Sequence, residues 1–378
     1  MFISFQGQWV SMSKSIGRAA DVMGRSRGGV KPGANAAVAR VIKDAPNQGG
    51  TGRRGRGGRA GRSSSKSPKP SGPKKSGEVV LFLNKADFAG VASRLAVAIN
   101  RHTKWRAYCI TPKPVLYDVG RGGVIRVNNR NRERIRQLMV SADAVIWTSS
   151  FYNYKPFGLP VNPKARTGIW HGGTMYRRNF AYFNRKVHPK LDLVYAHRDL
   201  EGLYKKTIRL HAPFDTKKYT PIDRDYHPVV VAHSPSSRKM KGTAEFLAAM
   251  KQVRKNNDNV DVVLIEKVRN DVALGMKQKA HVFFDQMNGY AIPVKYGASH
   301  GYGVSLIEAA SFGCAVLGWS NYKDTPIMCV RTKKDIARKV DALVSDRNLL
   351  RTKMRAARQW VVKEHDYAPV AKRFVGTL

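Results

Sequence analysis

The sequence predicts an α/β protein made of two doubly wound, parallel-sheet domains that face each other across a cleft, behind a basic N-terminal tail. Three observations carry this. Apolar runs of strand length alternate with segments of helical periodicity from Glu78 to the C-terminus. The alternation breaks once, at the polar, Pro-punctuated block FDTKKYTPIDRDYHP from Phe214 to Pro228, which reads as a linker. From Gly24 to Gly77 the chain is rich in Gly, Arg, Lys, Ser and Pro, with almost nothing to bury, and residues 1–77 are expected to form a disordered basic tail. The division is then 1–77 tail, 78–225 first domain, 226–360 second domain, and 361–378 a closing segment that packs back on the first domain.

Order begins with EVVLFLN, a continuous apolar strand, followed by KADF and the helix AGVASRLAVAINRH. Gly90 sits in that strand-to-helix turn, at the carboxyl edge where doubly wound sheets bind ligands. It either admits a diphosphate close to the backbone or simply meets a dihedral requirement. WRAYCIT is the second strand, with a loop around Asp118 to Gly123, and NRERIRQLMVSA is a helix whose inner face carries Ile135, Leu138, Met139 and Ala142. AVIWTS, RTGIWHGG and LDLVYAH are further strands, with a helix expected near Asp199 and TIRLHAPF leading into the linker. The second series runs VVVAHSPSSRKMKGTAEFLAAMKQV, VDVVLIEKV, a helix from about Asn270, and HVFFDQM. The long helix DRNLLRTKMRAARQWVVKEH precedes the closing DYAPVAKRFVGTL.

The formal charge of the 378-residue chain is +42. Through Gly77 there are 16 basic against 2 acidic residues, a net +14, and the remainder carries 52 against 24, a net +28. The body is therefore basic as well as the tail. Polyanions are the natural partners: nucleic acid first, then anionic lipid surfaces in peripheral contact, then phosphate-bearing small molecules. The tail reads as an electrostatic tether to nucleic acid, resembling segments that bind single strands, although the Gly/Arg-rich part lacks aromatic residues for base stacking. A solubilising role is the plainer reading. Cys109, Cys314 and Cys329 lack metal-ligand spacing and are odd in number, which suggests a reduced, cytoplasmic protein. No apolar run approaches the length of a membrane span. MFISFQGQWVSM is too short and too polar for a signal peptide; Met12 or Met23 are alternative starts, and a transit peptide is the second reading of the basic beginning.

The most informative stretch is HGYGVSLIEAASFGCAVL, His300 to Leu317. A glycine loop feeds a helix N-terminus there, where unpaired N–H groups and the helix dipole suit an anion. Ser305 and Glu308 have the S-x-x-E spacing of a capping box. Glu308 is then a cap, or it binds an uncharged group such as a sugar hydroxyl.

Taken together, several blocks resemble the retaining glycosyltransferases of the GT-B fold, the group that includes glycogen synthase-like and mannosyltransferase-like enzymes, with two Rossmann-like domains. The blocks are the Gly90 turn, WHGG at Trp170 to Gly173, APFDTKKYTP, HSPSSRKMKGT at His233 to Thr243, FFDQM near Asp285, GYGVSLIEAASFGCAVL and HDYAPVAKRF. The resemblance covers Glu78 to the C-terminus and excludes the tail.

It implies a nucleotide-diphosphate sugar as donor substrate, no cofactor and no metal. It also implies that Arg238 and Lys241 neutralise the departing diphosphate. Gly303, Val304 and Ser305 would face the phosphates and Glu308 the ribose hydroxyls. His171, at a first-domain strand end, would lie beside the transferred sugar. Many members carry another acid eight positions before the one matched by Glu308. This chain has His300 there, which leaves the donor sugar open. Asp285 and Gln286 resemble a block found in part of the family.

The charge makes a polyanionic acceptor the favoured one, above all DNA carrying a hydroxylated base, as in some viral DNA-modifying enzymes. Lipid or polysaccharide acceptors at a membrane surface are the alternative within the enzyme reading. A catalytically inert nucleic-acid-binding protein on a degenerate GT-B scaffold is the alternative outside it.

Overall fold

The computed structural model describes residues 2–5, 8–11, 77–117, 122–287, 301–320 and 322–378. Two parallel sheets form its frame. The first has seven strands: β3 (Val79–Leu83), β4 (Arg106–Thr111), β5 (Val124–Arg126), β6 (Ala144–Thr148), β7 (Arg166–His171), β8 (Leu193–Ala196) and β9 (Ile208–Arg209). They lie in the order β5-β4-β3-β6-β7-β8-β9, every neighbouring pair parallel. The second has β10 (Val229–His233), β11 (Val260–Leu264), β12 (Val282–Phe284), β13 (Ala315–Gly318) and β14 (Met328–Cys329), in the order β11-β10-β12-β13-β14. Its pairs are also parallel. The strand order reverses between β3 and β6 in the first sheet and between β10 and β12 in the second. At such switch points the loops diverge to opposite faces and leave a crevice at the carboxyl edge.

Strands buried on both faces read as continuous apolar runs, and β3 shows why. All five of its residues are buried. Val79, Leu81 and Leu83 join one core with Ile135 and Met139 of α2 (Arg132–Ser141) and Tyr176 of α3 (Gly173–Tyr182). Val80 and Phe82 join the opposite core with α1 (Val91–His102). In the second domain Val229, Val231, Val282 and Phe284 face α5 (Thr243–Asn256) and α8 (Lys333–Ser345). Ala232 and Phe283 face α6 (Asn270–Gln278), α7 (Val304–Ser311) and α9 (Arg347–His365).

The chain crosses between the sheets twice, at the linker and at the end of α9. Both crossings are tied together, because Phe214 N donates to His365 O at 2.8 Å and Thr216 Oγ1 to Asp366 Oδ1 at 2.5 Å. Asp366 also caps α10 (Tyr367–Val375), which lies along α1 of the first domain. Phe374 meets Phe82 and Tyr195 at ring separations of 5.4 and 5.3 Å.

Several details differ from the sequence expectation. Residues 2–5 and 8–11 form an antiparallel strand pair, β1 (Phe2–Phe5) and β2 (Gln8–Ser11), inside the stretch expected to be disordered; Phe, Ile, Trp and Val there favour strands. Residues 12–76 lie outside the described residues, as do 118–121 and 288–300. The helix expected near Asp199 is a 3-10 turn, Arg198–Leu203. The helices α3 and α8 and the strand β5 have no counterpart in the sequence reading. α8 begins with a capping box between Thr332 and Asp335. No helix among the described residues is long and apolar enough to cross a membrane.

Candidate functional site

The second domain's switch point assembles from β10, β12 and the turn before α7. At the end of β10 the buried His233 ring is pinned on both sides, Nδ1 to Phe284 O and Nε2 to Thr243 Oγ1, each at 2.9 Å. Burial pushes its pKa down to about 4, so the ring is a neutral strut that donates through Nδ1 and accepts at Nε2. The loop then forms the short helix α4 (Arg238–Lys241) and turns at Gly242, whose φ of 69° is left-handed and whose Cβ would lie 3.0 Å from Met287 Cβ.

Lys241 points into the crevice. Its Nζ donates to Asp285 Oδ1 at 3.0 Å and to Gln286 Oε1 at 2.6 Å. Asp285 Oδ2 accepts from Gly303 N at 2.7 Å, and Gln286 Nε2 donates to Gly301 O at 2.8 Å. Gly303 has to be small, since a Cβ there would sit 3.1 Å from both Asp285 Oδ1 and Lys241 Nζ. A Cβ on Gly301 would collide at 2.6 Å with Asp199 of the first domain, which is ion-paired with Arg177. The structure thus gathers Lys241, Asp285, Gln286, Gly301 and Gly303 around the start of α7, beneath the first domain. Arg238 is not among them: it is exposed and turned to Glu266 through Nε at 2.9 Å and Nη2 at 2.5 Å. The expected basic pair is therefore split, because positions 238 and 241 emerge from a four-residue helix with different partners in reach.

The capping box expected of Ser305 and Glu308 does not form. α7 starts at Val304 with Gly303 as N-cap, so Ser305 is already in the first turn. Its buried Oγ has no hydrogen-bond partner. The first-turn N–H groups of Val304 and Ser305 are among the orphan donors that a helix start presents. Glu308, one turn further on, is buried between two cations. Oε2 accepts from Lys277 Nζ at 2.6 Å and Oε1 from Arg94 Nη2 at 3.1 Å. Burial opposes its ionisation, but Lys277 and Arg94 outweigh it and hold the carboxyl below its ordinary range. Arg94 comes from α1 of the first domain and lies over the Phe214 ring at 4.9 Å, with Nη1 unpartnered. This triad clamps the two domains. Sequence reasoning missed Arg94 and Lys277, since an arginine and a lysine among apolar helix residues carry no signal of a partner 214 and 31 positions away. His300 lies outside the described residues.

On the first domain, Gly90 is buried, left-handed at φ 65°, and the N-cap of α1. That helix start is already filled: Asp87 Oδ1 accepts from Ala92 N at 3.0 Å and Oδ2 from Ser93 N at 2.9 Å. A carboxylate thus takes two of the N–H groups at this helix start, and the left-handed φ of Gly90 serves the backbone turn. His171 is fully buried. Its Nδ1 meets Ser150 Oγ at 2.9 Å and its Nε2 meets His188 Nε2 at 2.8 Å, with the ring stacked on Tyr176 at 3.8 Å. Burial and the neighbouring His188 keep it neutral. With both nitrogens engaged, His171 presents no free ring atom to a sugar. What reaches toward the carboxyl edge is its partner Ser150.

A lysine, a glycine-flanked helix start and a buried carboxylate at a sheet switch point suit a nucleoside diphosphate group. No protein-family model matches the chain, and no curated protein matches it significantly. Solved structures do match. An alpha-glucosyltransferase in complex with UDP-glucose and DNA containing an abasic site is 10% identical, with a TM-score of 0.56 over 79% of this chain and 98% of that one. Anabaena Alr3699/HepE in complex with UDP and glucose is 11% identical, with a TM-score of 0.53 over 79% and 99%. The fold of this chain is that of the GT-B glycosyltransferases: two parallel α/β units with the C-terminal helix returned to the first.

Proposed function

We propose that this protein is a glycosyltransferase that moves a sugar from a nucleotide-diphosphate donor to a hydroxyl acceptor with retention, and that the acceptor is DNA bearing a hydroxylated base. The observation that carries the donor half is Lys241 held beside the glycine-flanked start of α7 at the second switch point. Lys241 and the N–H groups of Val304 and Ser305 receive the diphosphate as its charge grows on departure. Glu308 keeps lone pairs beyond those used by Lys277 and Arg94, and these accept ribose hydroxyls. Arg238, exposed on the same helix as Lys241, contributes through the longer-range field. Front-side attack, with the acceptor hydroxyl entering where the diphosphate leaves, asks for no dedicated base. That agrees with a His171 whose ring nitrogens are both engaged.

The DNA half is supported by the net +28 of the body, and three of the matched structures were solved with DNA. One observation favours a second reading, an inert nucleic-acid-binding protein: Arg238, Lys241 and Glu308 all have internal ionic partners. The two separate in an assay of UDP-glucose and other nucleotide sugars against oligonucleotides containing hydroxymethylated pyrimidines, read by the mass of the oligonucleotide. A hexose or pentose increment with a retained anomeric configuration supports the enzyme. Salt-sensitive DNA binding with neither transfer nor donor hydrolysis supports the inert scaffold. Transfer confined to lipid or polysaccharide acceptors replaces the DNA half.

A further inference from the structure

The carboxyl edge of the first sheet has a composition that the donor site does not explain. Three loops meet there, after β3, β5 and β6. Among the described residues six non-glycine positions have positive φ, and five lie in two of these loops: Ala89, Ser149, Ser150, Asn153 and Phe157, at 55 to 64°. Non-glycine residues hold such angles only where surrounding contacts impose them, commonly at ligand clamps. The contacts are present. Ser149 N donates to Trp170 O at 3.0 Å, Trp147 Nε1 to Tyr154 O at 3.0 Å, and Tyr152 packs edge-on against Trp147. Ser150 Oγ is fixed by the His171–His188 pair. That buried pair thereby acquires a positioning role, holding the strained turn that presents Phe151.

Phe151 stacks with Phe88 of the loop after β3, ring centroids 6.0 Å apart and 28° from parallel, and Phe88 is 47% exposed. The end of β5 and the start of α2 carry four exposed arginines, Arg126, Arg130, Arg132 and Arg134. The Arg132 guanidinium lies over the Phe157 ring at 5.5 Å and that of Arg134 over Tyr108 at 5.7 Å. A guanidinium seated face-on over an aromatic ring keeps its N–H edge for phosphate oxygens. None of the four forms an ion pair among the described residues, because Glu133 is taken by Arg136 at 2.6 and 2.8 Å. Exposed Lys85 and Lys155 belong to the same two loops as the aromatic pair.

We infer that this edge is a docking surface for single-stranded or extruded nucleic acid, in which Arg130, Arg132 and Arg134 hold successive phosphates and the Phe88–Phe151 pair stacks a base. The inference deepens the acceptor half of the proposed function by giving the acceptor strand a place on the protein body, independent of the tail. A stacked aromatic pair also suits a sugar ring, but four uncompensated arginines at the same sheet edge select a polyanion whose units have flat faces. Bases paired inside a duplex offer no face to such a pair, hence the single-stranded or extruded form.

The test uses the full chain, without donor, and a fluorescein-labelled single-stranded 12-mer oligodeoxynucleotide followed by anisotropy over a salt series. The triple variant R130Q/R132Q/R134Q is expected to lower the magnitude of the log Kd against log salt slope by about 2, at roughly 0.7 for each phosphate no longer neutralised. F88A/F151A is expected to weaken binding about tenfold or more with the slope unchanged, as removal of stacking does. A control that removes equal charge elsewhere, K251Q/K255Q/K334Q, is expected to leave slope and affinity near those of the unaltered protein. Unfolding midpoints show that each variant is folded. An equal slope change in the control, or unaltered binding by the aromatic variant, would overturn the surface. So would tighter binding of phosphatidylserine vesicles or heparin through the same residues. Because no donor is present, failure of the glycosyltransferase reading leaves these outcomes standing, and their failure leaves donor binding and transfer untouched.

Discussion

The two carboxyl edges of this molecule are built on opposite electrostatic plans. At the second sheet three cations near the crevice are each answered by an acid: Lys241 by Asp285, Arg238 by Glu266, Lys277 by Glu308. Its backbone is made close-fitting by Gly242, Gly301 and Gly303, and Lys267 is its one described non-glycine residue with positive φ. At the first sheet the arginines from 126 to 134 have no acid to themselves, the backbone is strained at non-glycine residues, and aromatic rings replace glycines. A balanced, glycine-lined crevice can admit a small anion without a large residual field when empty. An unbalanced aromatic surface attracts a long polyanion from a distance. The contrast teaches that the net charge of the body is not evenly placed, since the first domain groups four arginines without ion pairs among the described residues on one stretch of chain.

The largest way to separate the two halves is acid. Burial lowers the pKa of His188 and His197 to about 4 and of His211 to about 3, and holds His171 well below its ordinary value. The second sheet has His233 and His281, each near 4. Below pH 6.5 the unfolded chain takes up protons that these folded sites refuse, so stability falls as pH drops from about 6.5 toward 4. Each buried histidine contributes up to about 1.4 kcal/mol per pH unit. Hydrogen exchange at pH 5 is expected to show β6 to β9 opening before β10 to β13, and simultaneous opening would erase this distinction.

Next in size is Glu308→Ala. It leaves Arg94 and Lys277 buried without their counterion, at a cost of about 3–5 kcal/mol in urea unfolding. The apolar triple R94M/K277M/E308L is expected to recover most of that stability while leaving UDP-glucose binding lost. If the triple variant binds UDP-glucose normally, Glu308 is only a clamp between domains.

The two sheets were legible from sequence because strands buried on both faces announce themselves as apolar runs, as in EVVLFLN, and the linker because Pro and charge interrupt those runs. The glycine loop before α7 was legible for the same local reason. What stayed hidden depends on partners distant in the chain. Ser305 and Glu308 have capping-box spacing, yet Asp285, just after β12, binds the backbone at Gly303, and the helix starts before Ser305. His171 looks like an exposed histidine in a glycine turn until His188 and Tyr176 enclose it. Positive φ at Ser149 and Ser150 is imposed by tertiary contacts and leaves no mark in residue type.

Within the proposed donor crevice the split of the basic pair sets a graded expectation. Lys241→Ala removes a charged donor from the cluster, and is expected to raise the Kd for UDP-glucose about 10- to 100-fold, or about 1.5–3 kcal/mol by calorimetry. Arg238→Ala breaks only an exposed pair worth about 0–1 kcal/mol and is expected to change that Kd less than about threefold. Equal effects would restore the pair as a unit.

The smallest effect bears on the two helix starts themselves. α1 is closed by Asp87, which takes the N–H groups of Ala92 and Ser93, whereas the start of α7 at Val304 and Ser305 has no side-chain cap. If that difference decides which helix holds phosphate, Asp87→Ala is a loss of a cap and nothing more. It should cost about 1 kcal/mol in unfolding and leave UDP-glucose affinity as it was. Asp87→Ser, which keeps an acceptor at the cap, should cost only a few tenths. Should Asp87→Ala instead change UDP-glucose affinity severalfold in either direction, the Gly90 turn belongs to the donor site after all, and the phosphate lies between the two helix starts rather than on α7 alone.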